Sequence, residues 1–362
     1  MSERAHPADD GDPAQDQAAS ACAIAALPHW GLAGAELAFV AARENVVFRV
    51  QAPDGRRYAL RIHRAGYHDH AELLAEHAWT TALSQAGIPT PRPVPTLAGE
   101  PYARIAWPGA DGGLRHVGLI DWIDGVPMTD AIARGQADPV LLLEAIGSVI
   151  AGMHDQAVVW AMPPGFRRPL LDADGLIGEQ PWWGSFWDLP EFDGAQARTV
   201  REGRARMHAA LLAHGRHAGN FSIIHADVLP QNVLLRDGSP VIFDFDDCAF
   251  GWHAYDLAVA LIGFVHDPRF EAIAAAAVRG YRRVRPLPGA EVEQLSRLLA
   301  ARLLVQLGWL HHRVPRALRL APDRVIPRGE LLRPRIAAAL TACAQVLDGV
   351  NPFPLAEIPR CT

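Results

Sequence analysis

The segment 222–247 constrains the fold more than any other, because polar side chains stand at fixed positions between runs of β-forming residues. After the apolar run FSII at 221–224, the chain reads HADVLPQN at 225–232 and VLL at 233–235. A turn at 236–240 then leads into VIFDFDD at 241–247. β-forming runs around a Gly- and Pro-containing turn predict a hairpin that follows a tight loop. Asp227 and Asn232 therefore lie on the loop, and Asp244 ends the returning strand.

These three side chains suit phosphoryl transfer, which depends almost wholly on positioning and charge neutralisation. A carboxylate close to the attacking hydroxyl orients and deprotonates it, and we expect Asp227 to be this catalytic base. Hard oxygen ligands hold Mg²⁺, and Asn232 and Asp244 offer an amide oxygen and a carboxylate to that ion. The segment predicts a site for ATP and Mg²⁺ in which Asp244 holds the metal that bridges the β- and γ-phosphates.

The pattern HxDx₄N, followed by an aspartate 17 residues after the first one, resembles the catalytic and metal-binding segments of the aminoglycoside phosphotransferase / choline kinase superfamily. Residues 251–258 (GWHAYDLA) resemble the helix that follows the metal-binding aspartate in that superfamily. The resemblance covers about residues 35–265, and homoserine-kinase-like and stress-response-kinase-like branches are equally similar. It implies an α+β, protein-kinase-like two-lobed fold with a small β-rich N-lobe and a larger, mostly helical C-lobe.

The same resemblance implies how the N-lobe binds ATP. The run YALR at 58–61 takes the place of the kinase motif Val-Ala-Ile-Lys, so Arg61 would hold the phosphates in a chain whose 34 basic residues are all arginine. Arginine keeps the charge and adds a planar fork suited to phosphate and carboxylate. Its expected partner is Glu76 on the predicted helix 70–85, with Glu72 in reserve. The other expected ATP contacts are Asn45 in the nucleotide loop and Asp121, Trp122 and Ile123 in the connector.

The order of predicted elements divides the chain into five parts. A polar N-terminus predicts disorder, and three β-forming runs, a helix and two more strands predict the β-rich lobe. Helical patterns dominate later, near 141–156, 194–214, 252–265, 270–284, 290–313 and 328–348. The expected parts are a disordered tail at 1–22, the N-lobe at 23–120, a hinge at 121–127, the C-lobe with catalytic loop and substrate pocket at 128–352 and a C-terminal tail at 353–362.

Three further residues are expected to support the site. His225 would brace the loop by hydrogen bonding. Asp256 would tie down the loop backbone, as the similar aspartate does in kinases. Asp246 is either an outer partner of the metal or the cap of the next helix, and both interpretations stay open.

Two further groups of residues lie in the predicted C-lobe, one aromatic and one basic. The aromatic cluster at 182–187 (WWGSFW) is typical of local core, with substrate contact as the alternative. Arg302, His311 and His312 lie on a long predicted helix that could face the cleft, and no role is assigned to them.

Leu229 bears on the acceptor. Protein Ser/Thr kinases carry a lysine at this loop position, and its absence favours a small-molecule hydroxyl such as that of an amino alcohol or a hydroxy amino acid. A protein Ser/Thr kinase of the bacterial stress-response type and an aminoglycoside phosphotransferase are the alternatives. A pseudokinase is disfavoured because no base or metal residue is lost. A glycosyltransferase with a DxD motif would leave Asp227 and Asn232 unexplained.

Composition narrows the partners and the compartment. The net charge is −6 and the arginines are scattered, which argues against nucleic acid and anionic membranes as partners. The four cysteines are widely separated and predict neither disulfides nor a zinc site. The N-terminus lacks the apolar region of a secretory signal, so we expect a cytoplasmic protein. The oligomeric state is left open.

Overall fold

The computed structural model describes residues 13–42, 45–109, 112–314, 317–321, 324–353 and 355. Most of the predicted C-terminal tail and residues 1–12 of the N-terminal one lie outside the described residues. The strands are β1 (Glu36–Ala42), β2 (Asn45–Gln51), β3 (Arg57–His63), β4 (Pro93–Val94), β5 (Ala103–Ala106), β6 (Leu114–Asp121), β7 (Val126–Pro127), β8 (Leu170–Leu171), β9 (Phe221–Ile224), β10 (Val233–Arg236), β11 (Ser239–Ile242), β12 (Ala249–Trp252), β13 (Ala317–Ala321) and β14 (Arg324–Pro327). The helices are α1 (Pro13–Ala26), α2 (His70–Gln85), α3 (Met128–Ala133), α4 (Pro139–Val159), α5 (Ala173–Ile177), α6 (Gly194–His214), α7 (His253–Leu261), α8 (Phe270–Arg282), α9 (Gly289–Arg313) and α10 (Arg328–Leu347).

The N-terminal region is built on one antiparallel sheet of order β1-β2-β3-β6-β4, in which β5 also pairs with β6. The hairpin β2–β3 places Val47 opposite Arg61, as its predicted turn requires. Helix α2 begins at a capping box, in which the side chain of Asp69 accepts the Glu72 amide and the side chain of Glu72 accepts the Asp69 amide. Register and cap together set the position of β3 relative to α2.

The N-terminal tail is helical from residue 13 onward, so the predicted disorder is wrong for residues 13–22. Helix α1 contacts β3 and β5 through small side chains that are buried in the N-terminal core, namely Ala18, Ala19, Cys22, Ala23 and Ala26. Alanine has the highest helix propensity. Disorder was predicted because this segment has few large apolar residues, and that rule does not hold for a helix that packs through small side chains.

The C-terminal region is mostly helical, as predicted. Helices α4 and α8 pack closely because Gly147 and Gly280 lie at their contact, where a Cβ atom would fall 2.1 and 1.8 Å from a backbone oxygen of the opposite helix. Two small sheets, β11-β10-β7 and β8-β12-β9, accompany the helices. The segment 222–247 supplies β9 to one sheet and the hairpin β10–β11 to the other. The loop 225–232 therefore bridges two sheets that both pack on the helical core.

The β-rich and helical regions are joined by the chain itself and by contacts between them. Strand β6 ends at Asp121 in the N-terminal sheet, and β7 pairs with β10 in the C-terminal region, so the chain passes between them at 122–125. The hairpin β13–β14 also reaches back to contact β1. The molecule is thus an α+β protein with two lobes, and the cleft between them is bordered by β3, α2, the loop 225–232 and residues 243–247.

Candidate active site

A buried carboxylate holds the loop that follows β9, residues 225–232, which we name the Asp227 loop. Ala226 has a φ of 65°, a conformation that residues with a Cβ rarely adopt. Asp256 on α7 accepts the backbone N–H groups of His225 at 2.9 Å and Ala226 at 2.6 Å. Burial raises the pKa of Asp256 to about 6, against the effect of these bonds. The geometry agrees with the expected role of Asp256 as an anchor of the loop backbone.

The His225 imidazole joins the Asp227 loop to the returning strand. Its Nδ1 accepts the Asp227 N–H at 3.2 Å, and its Nε2 lies 3.1 Å from the backbone oxygen of Phe243. Burial lowers the pKa of His225, which favours the neutral ring with one acceptor and one donor. As expected, His225 braces the loop.

The Asp227 side chain is held at both oxygens. Asn232 Nδ2 donates to Asp227 Oδ2 at 2.8 Å and to the Asp227 backbone oxygen at 2.9 Å. The other carboxylate oxygen, Oδ1, accepts a hydrogen bond from Arg302 Nη2 at 2.5 Å. The Asp227 side chain remains 19% exposed, so the carboxylate is fixed in place and still accessible from the cleft.

Asp244 follows β11 in a left-handed conformation, with a φ of 66°. Strained backbone of this kind is common at functional sites and persists only where the surroundings enforce it. The side chain is 45% exposed toward the cleft and lies beside Arg61. Enclosure by the protein on its other side raises the pKa of Asp244 to about 6, although Arg61 opposes the shift.

Six charged or titratable side chains on the N-lobe side form what we name the Arg61 cluster: Arg61, His63, His68, Glu76, Asp244 and Asp246. Arg61 Nη1 donates to Glu76 at 2.6 Å, while Nη2 lies 3.3 Å from both Asp244 and Asp246. The predicted pairing of Arg61 with Glu76 is present. Glu72, the reserve candidate, instead caps α2 and contacts His68. One guanidinium thus links strand β3, helix α2 and the segment that follows β11.

Asp246 is buried inside this cluster. His63 Nδ1 lies 3.7 Å and His68 Nε2 lies 3.8 Å from its carboxylate, and these neighbours together with Arg61 lower the pKa of Asp246 despite its burial. Helix α7 begins after Trp252, which has no side-chain capping bond, so the interpretation of Asp246 as a helix cap is wrong. The interpretation as an outer partner of a metal at Asp244 stays a prediction.

Two arginines that sequence reasoning did not select complete the site. Arg302 is buried on α9 and hydrogen-bonds Asp227 from 75 residues away in the chain. Arg168 is buried in the loop before β8 and donates to the backbone oxygens of Glu72, Asp246 and Cys248, which joins α2 to the segment after Asp244. Neither belongs to a local motif; the only signal was the position of Arg302 on a helix predicted to face the cleft.

The remaining expected ATP contacts divide into two groups. Asn45 is buried, and its side-chain oxygen accepts the Arg64 amide at 3.4 Å, so it braces the β2–β3 ladder. The adjoining residues 43 and 44 lie outside the described residues. In the connector, the amides of Asp121 and Trp122 donate to the backbone oxygens of Arg92 and Arg57. Among the described residues, none accepts the Ile123 amide.

The aromatic cluster at 182–187 is core, as its composition predicted. Trp183 and Phe186 are buried, and Trp182 and Trp187 pack on the same core from half-buried positions. Gly308 on α9 lies against the backbone of Trp183 and Gly184. The guanidinium of Arg302 stands 5.9 Å from the centre of the Trp183 ring. The cluster therefore forms the wall behind Arg302.

The residues present fit a hard divalent cation. Asn232 uses its amide nitrogen on Asp227, and among the described residues nothing donates to its Oδ1. Asp244 is exposed toward the same cleft, and carboxylate and amide oxygens are the ligands that Mg²⁺ and Ca²⁺ prefer. The bond from Asn232 to Asp227 thus connects the candidate base directly to a candidate metal ligand.

A two-lobed fold with a fixed carboxylate, a neighbouring amide and a strained aspartate at its cleft defines the class of kinase-like phosphotransferases. The chain belongs to the phosphotransferase enzyme family, whose model matches residues 36–287. That match spans the N-terminal sheet and continues to the residues just before α9. The protein is therefore a kinase, and the resemblance seen in the sequence is confirmed.

Known proteins agree with this assignment. Stress response kinase A of Escherichia coli K12 is 24% identical over 274 residues, which cover 75% of each chain. Homoserine kinase of Azorhizobium caulinodans is 28% identical over 266 residues, or 70% of each chain. The solved structure of an amicoumacin kinase, hAmiN, in complex with AMP-PNP, Ca²⁺ and Ami matches the fold with a TM-score of 0.70 at 20% identity, covering 95% of each chain.

None of the described helices combines the length and the apolarity that a membrane span requires.

Proposed function

We propose that this kinase uses ATP and Mg²⁺ to phosphorylate a hydroxyl group of a small molecule. The observation that supports the proposal is the pair of hydrogen bonds from Asn232 to Asp227, which links the candidate base to the amide of a candidate metal ligand. The amicoumacin kinase that shares this fold was solved with an ATP analogue and a divalent cation, which supports the choice of nucleotide and metal.

The residues of this chain would divide the reaction as follows. Asp227 orients the acceptor hydroxyl and takes its proton as the new oxygen–phosphorus bond forms and the bond between the γ-phosphorus and the β,γ-bridging oxygen breaks. Asn232 and Asp244 would hold Mg²⁺, which neutralises charge on the phosphates when bound. ADP leaves with the electron pair of the broken bond. The Asp227 loop needs no rearrangement for its part, since Asp256 and His225 already hold it.

Arg61 would hold the phosphates of ATP from the N-lobe. Its side chain is 11% exposed, and its guanidinium contacts both Glu76 and Asp244, so it would lie at the edge of the proposed metal site. A planar fork can keep one nitrogen on Glu76 while the other moves from Asp244 to a phosphate oxygen. The Ile123 amide would contact the adenine edge, and the expected ATP role of Asn45 would fall to its backbone alone.

The acceptor is proposed to be small for two reasons. Leu229 packs against the core at the loop position where protein Ser/Thr kinases carry a lysine. The homoserine and amicoumacin kinases, by their names, act on small molecules, while the similar stress response kinase keeps a protein acceptor as the alternative.

A phosphate-transfer screen with labelled ATP tests the proposal. The acceptors are amino alcohols, hydroxy amino acids, sugars, aminoglycosides and a generic protein, each with and without Mg²⁺. Asp227→Ala is expected to abolish transfer while ATP–Mg²⁺ binding persists, and Asp244→Ala is expected to weaken Mg²⁺-dependent nucleotide binding. Normal turnover by the Asp227→Ala variant would refute the base assignment, and transfer to the protein alone would refute the small-molecule acceptor.

A further inference from the structure

Four buried ring nitrogens and carboxylate oxygens of the Arg61 cluster have no hydrogen-bond partner among the described residues. They are His63 Nδ1, His68 Nε2, Glu76 Oε2 and Asp246 Oδ2. All four residues are less than a tenth exposed. A buried polar group without a partner costs about 1–3 kcal/mol, and native proteins contain few of them. Four such atoms in one cluster therefore indicate that it binds a ligand.

The spacing of these atoms suits a bound ion better than direct hydrogen bonds. His63 Nδ1 lies 3.7 Å and His68 Nε2 lies 3.8 Å from the Asp246 carboxylate, which is too far for an N–H···O bond. One ligand atom from each of His63, Glu76 and Asp246 lies within 4.8 Å of the other two. Ligands held at about 2.0–2.2 Å around one tetrahedral ion are roughly 3.4 Å apart. Small side-chain rotations therefore bring these three atoms to a common ion.

His68 turns a second imidazole toward Asp246. Its Nδ1 lies 3.1 Å from Glu72 Oε2, and because a carboxylate only accepts, this nitrogen carries a proton. In the neutral ring the lone pair is then on Nε2, which faces Asp246 Oδ2. Two acceptors in this position repel each other unless a cation lies close to both. A carboxylate that fixes the tautomer of a histidine is common around metal sites, so His68 is a candidate fourth ligand.

The charges around these atoms favour a divalent cation. With neutral imidazoles, the Arg61 cluster holds three carboxylates and one guanidinium, an excess of two negative charges. The surroundings do not remove this excess, because they add equal numbers of both charges, namely Glu72, Asp227 and Asp247 against Arg168, Arg302 and Arg313. Buried carboxylates that outnumber their cations favour a positively charged ligand.

The cluster also has room for an ion and a route by which one can enter. A cavity of about 30 Å³ is lined by residues that include His63, Glu76 and Asp244, and one water needs roughly 10–15 Å³. Asp244 is exposed toward the cleft, so this cavity adjoins it. A water molecule fits the same space, but it donates only two hydrogen bonds, whereas one ion binds three or four acceptors at once.

We propose that His63, Glu76 and Asp246 bind a divalent transition-metal ion, with His68 as the fourth ligand, at a site separate from the proposed Mg²⁺ site. Imidazole nitrogens combined with carboxylate oxygens are typical ligands of Zn²⁺ and related ions, whereas Mg²⁺ prefers oxygen alone. The ligands come from β3, the loop before α2, α2 itself and the segment after β11. The ion would thus hold together the same elements that Arg61 links.

Calorimetric titration of Zn²⁺ into the full chain tests the site. The protein is first freed of metal with a chelator and then kept in excess Mg²⁺, which competes for sites made of oxygen ligands alone. We expect one equivalent of Zn²⁺ to bind with a Kd of about 1 µM or lower. His63→Gln should weaken this binding at least about 100-fold and His68→Gln roughly tenfold, since one ligand is lost in each and His68 is the more distant of the two.

His116→Gln is the matched control. His116 lies on β6, the strand that pairs with β3, and its ring stacks on His70 instead of facing the Arg61 cluster. This variant should bind Zn²⁺ like the wild type. Wild-type protein that binds no Zn²⁺ under these conditions, or equal binding by His63→Gln and the wild type, overturns the proposal.

A measurement on the wild type decides the same question if His63→Gln fails to fold. Anomalous diffraction at the zinc absorption edge, from crystals grown with Zn²⁺ and Mg²⁺, should show a peak about 2.0–2.2 Å from His63 Nδ1 and from oxygens of Glu76 and Asp246. A peak only at other residues, or an ordered water in this place, refutes the site. Neither experiment depends on which acceptor the protein phosphorylates, so the proposed function stands or falls separately.

Discussion

The Asp227 loop and the Arg61 cluster border the same cleft, but they satisfy their polar groups in different ways. In the Asp227 loop, the strained backbone at Ala226 is matched by two bonds from Asp256, and His225 uses both ring nitrogens. In the Arg61 cluster, one guanidinium serves three carboxylates. Four buried atoms there have no hydrogen-bond partner among the described residues, namely His63 Nδ1, His68 Nε2, Glu76 Oε2 and Asp246 Oδ2.

This difference suggests different tasks. A loop whose backbone and imidazole groups are held by specific hydrogen bonds keeps one geometry, which suits a base that must meet a hydroxyl at hydrogen-bond distance. A cluster with spare donors and acceptors changes partners at low cost, which suits a site where phosphates and a cation arrive and depart. The comparison predicts that the stability of the Arg61 cluster depends on charge, whereas the geometry of the Asp227 loop depends on individual hydrogen bonds.

Removing the charge of Arg61 should have the largest effect. Arg61→Met leaves Glu76 and Asp246 buried without their cation, and we expect the free energy of unfolding to fall by about 3–5 kcal/mol. Urea unfolding followed by circular dichroism measures the change. Arg57→Met is the matched control: Arg57 lies on the same strand and pairs with Asp124, but its side chain is 39% exposed, so the loss should stay below about 1 kcal/mol. Equal losses in the two variants would mean that the cluster does not depend on Arg61.

Replacing one carboxylate oxygen of Asp256 by an amide nitrogen should have the second-largest effect on stability. In Asp256→Asn the new NH₂ group faces the backbone N–H of His225 or of Ala226. Both of these donors are then buried without an acceptor, and we expect the free energy of unfolding to fall by about 2–4 kcal/mol in total. Because Ala226 then loses the bond that holds its left-handed backbone, kcat should also fall. The control is Asp237→Asn in the exposed β10–β11 turn, where the φ of 51° suits asparagine. A variant that unfolds and turns over like the wild type would show that the loop does not need this anchor.

The sequence could predict the Asp227 loop because its parts are close together in the chain. Asp227, Asn232 and Asp244 stand within one strand–loop–hairpin unit, so their spacing and the turn residues determine how they meet. The pairing of Arg61 with Glu76 was also predictable, since β3 and α2 are consecutive elements. Helix boundaries such as 70–85 and 194–214 followed from periodicity and caps.

The features that the sequence did not reveal depend on contacts between distant segments. Arg302 reaches Asp227 from α9, and Arg168 reaches the segment after Asp244 from a loop without a motif. Asp246 could not be assigned because its histidine neighbours lie on β3 and in the loop before α2. Helix α1 was missed because it is stabilised by tertiary packing of alanines rather than by an amphipathic pattern.

Acid should lower the free energy of unfolding through His253, a buried neutral imidazole at the start of α7, the helix that also carries Asp256. Burial, with the nearby His154 and Arg285, lowers the pKa of His253 to about 2. The unfolded chain binds this proton near pH 6.5 and the folded chain does not, so the stability is present above pH 6.5 and is lost as the pH falls. Between pH 7.5 and 5.5, His253→Gln should lose about 1.4 kcal/mol less than the wild type. Parallel pH profiles of urea unfolding test this, and identical slopes would contradict it.

The connector should give the smallest effect, because its proposed contact with ATP uses backbone groups. Asp121 directs its side chain to Arg92 at 2.9 Å, and this pair is exposed, so the bond contributes little. We expect Asp121→Asn to change KM for ATP by less than about threefold and the free energy of unfolding by less than about 1 kcal/mol. The Ile123 amide, which this substitution leaves untouched, would still meet the adenine edge. A tenfold rise in KM for ATP with unchanged stability would show that the Asp121 side chain contacts the nucleotide, and the N-lobe would then bind ATP through side chains at the connector as well as at Arg61.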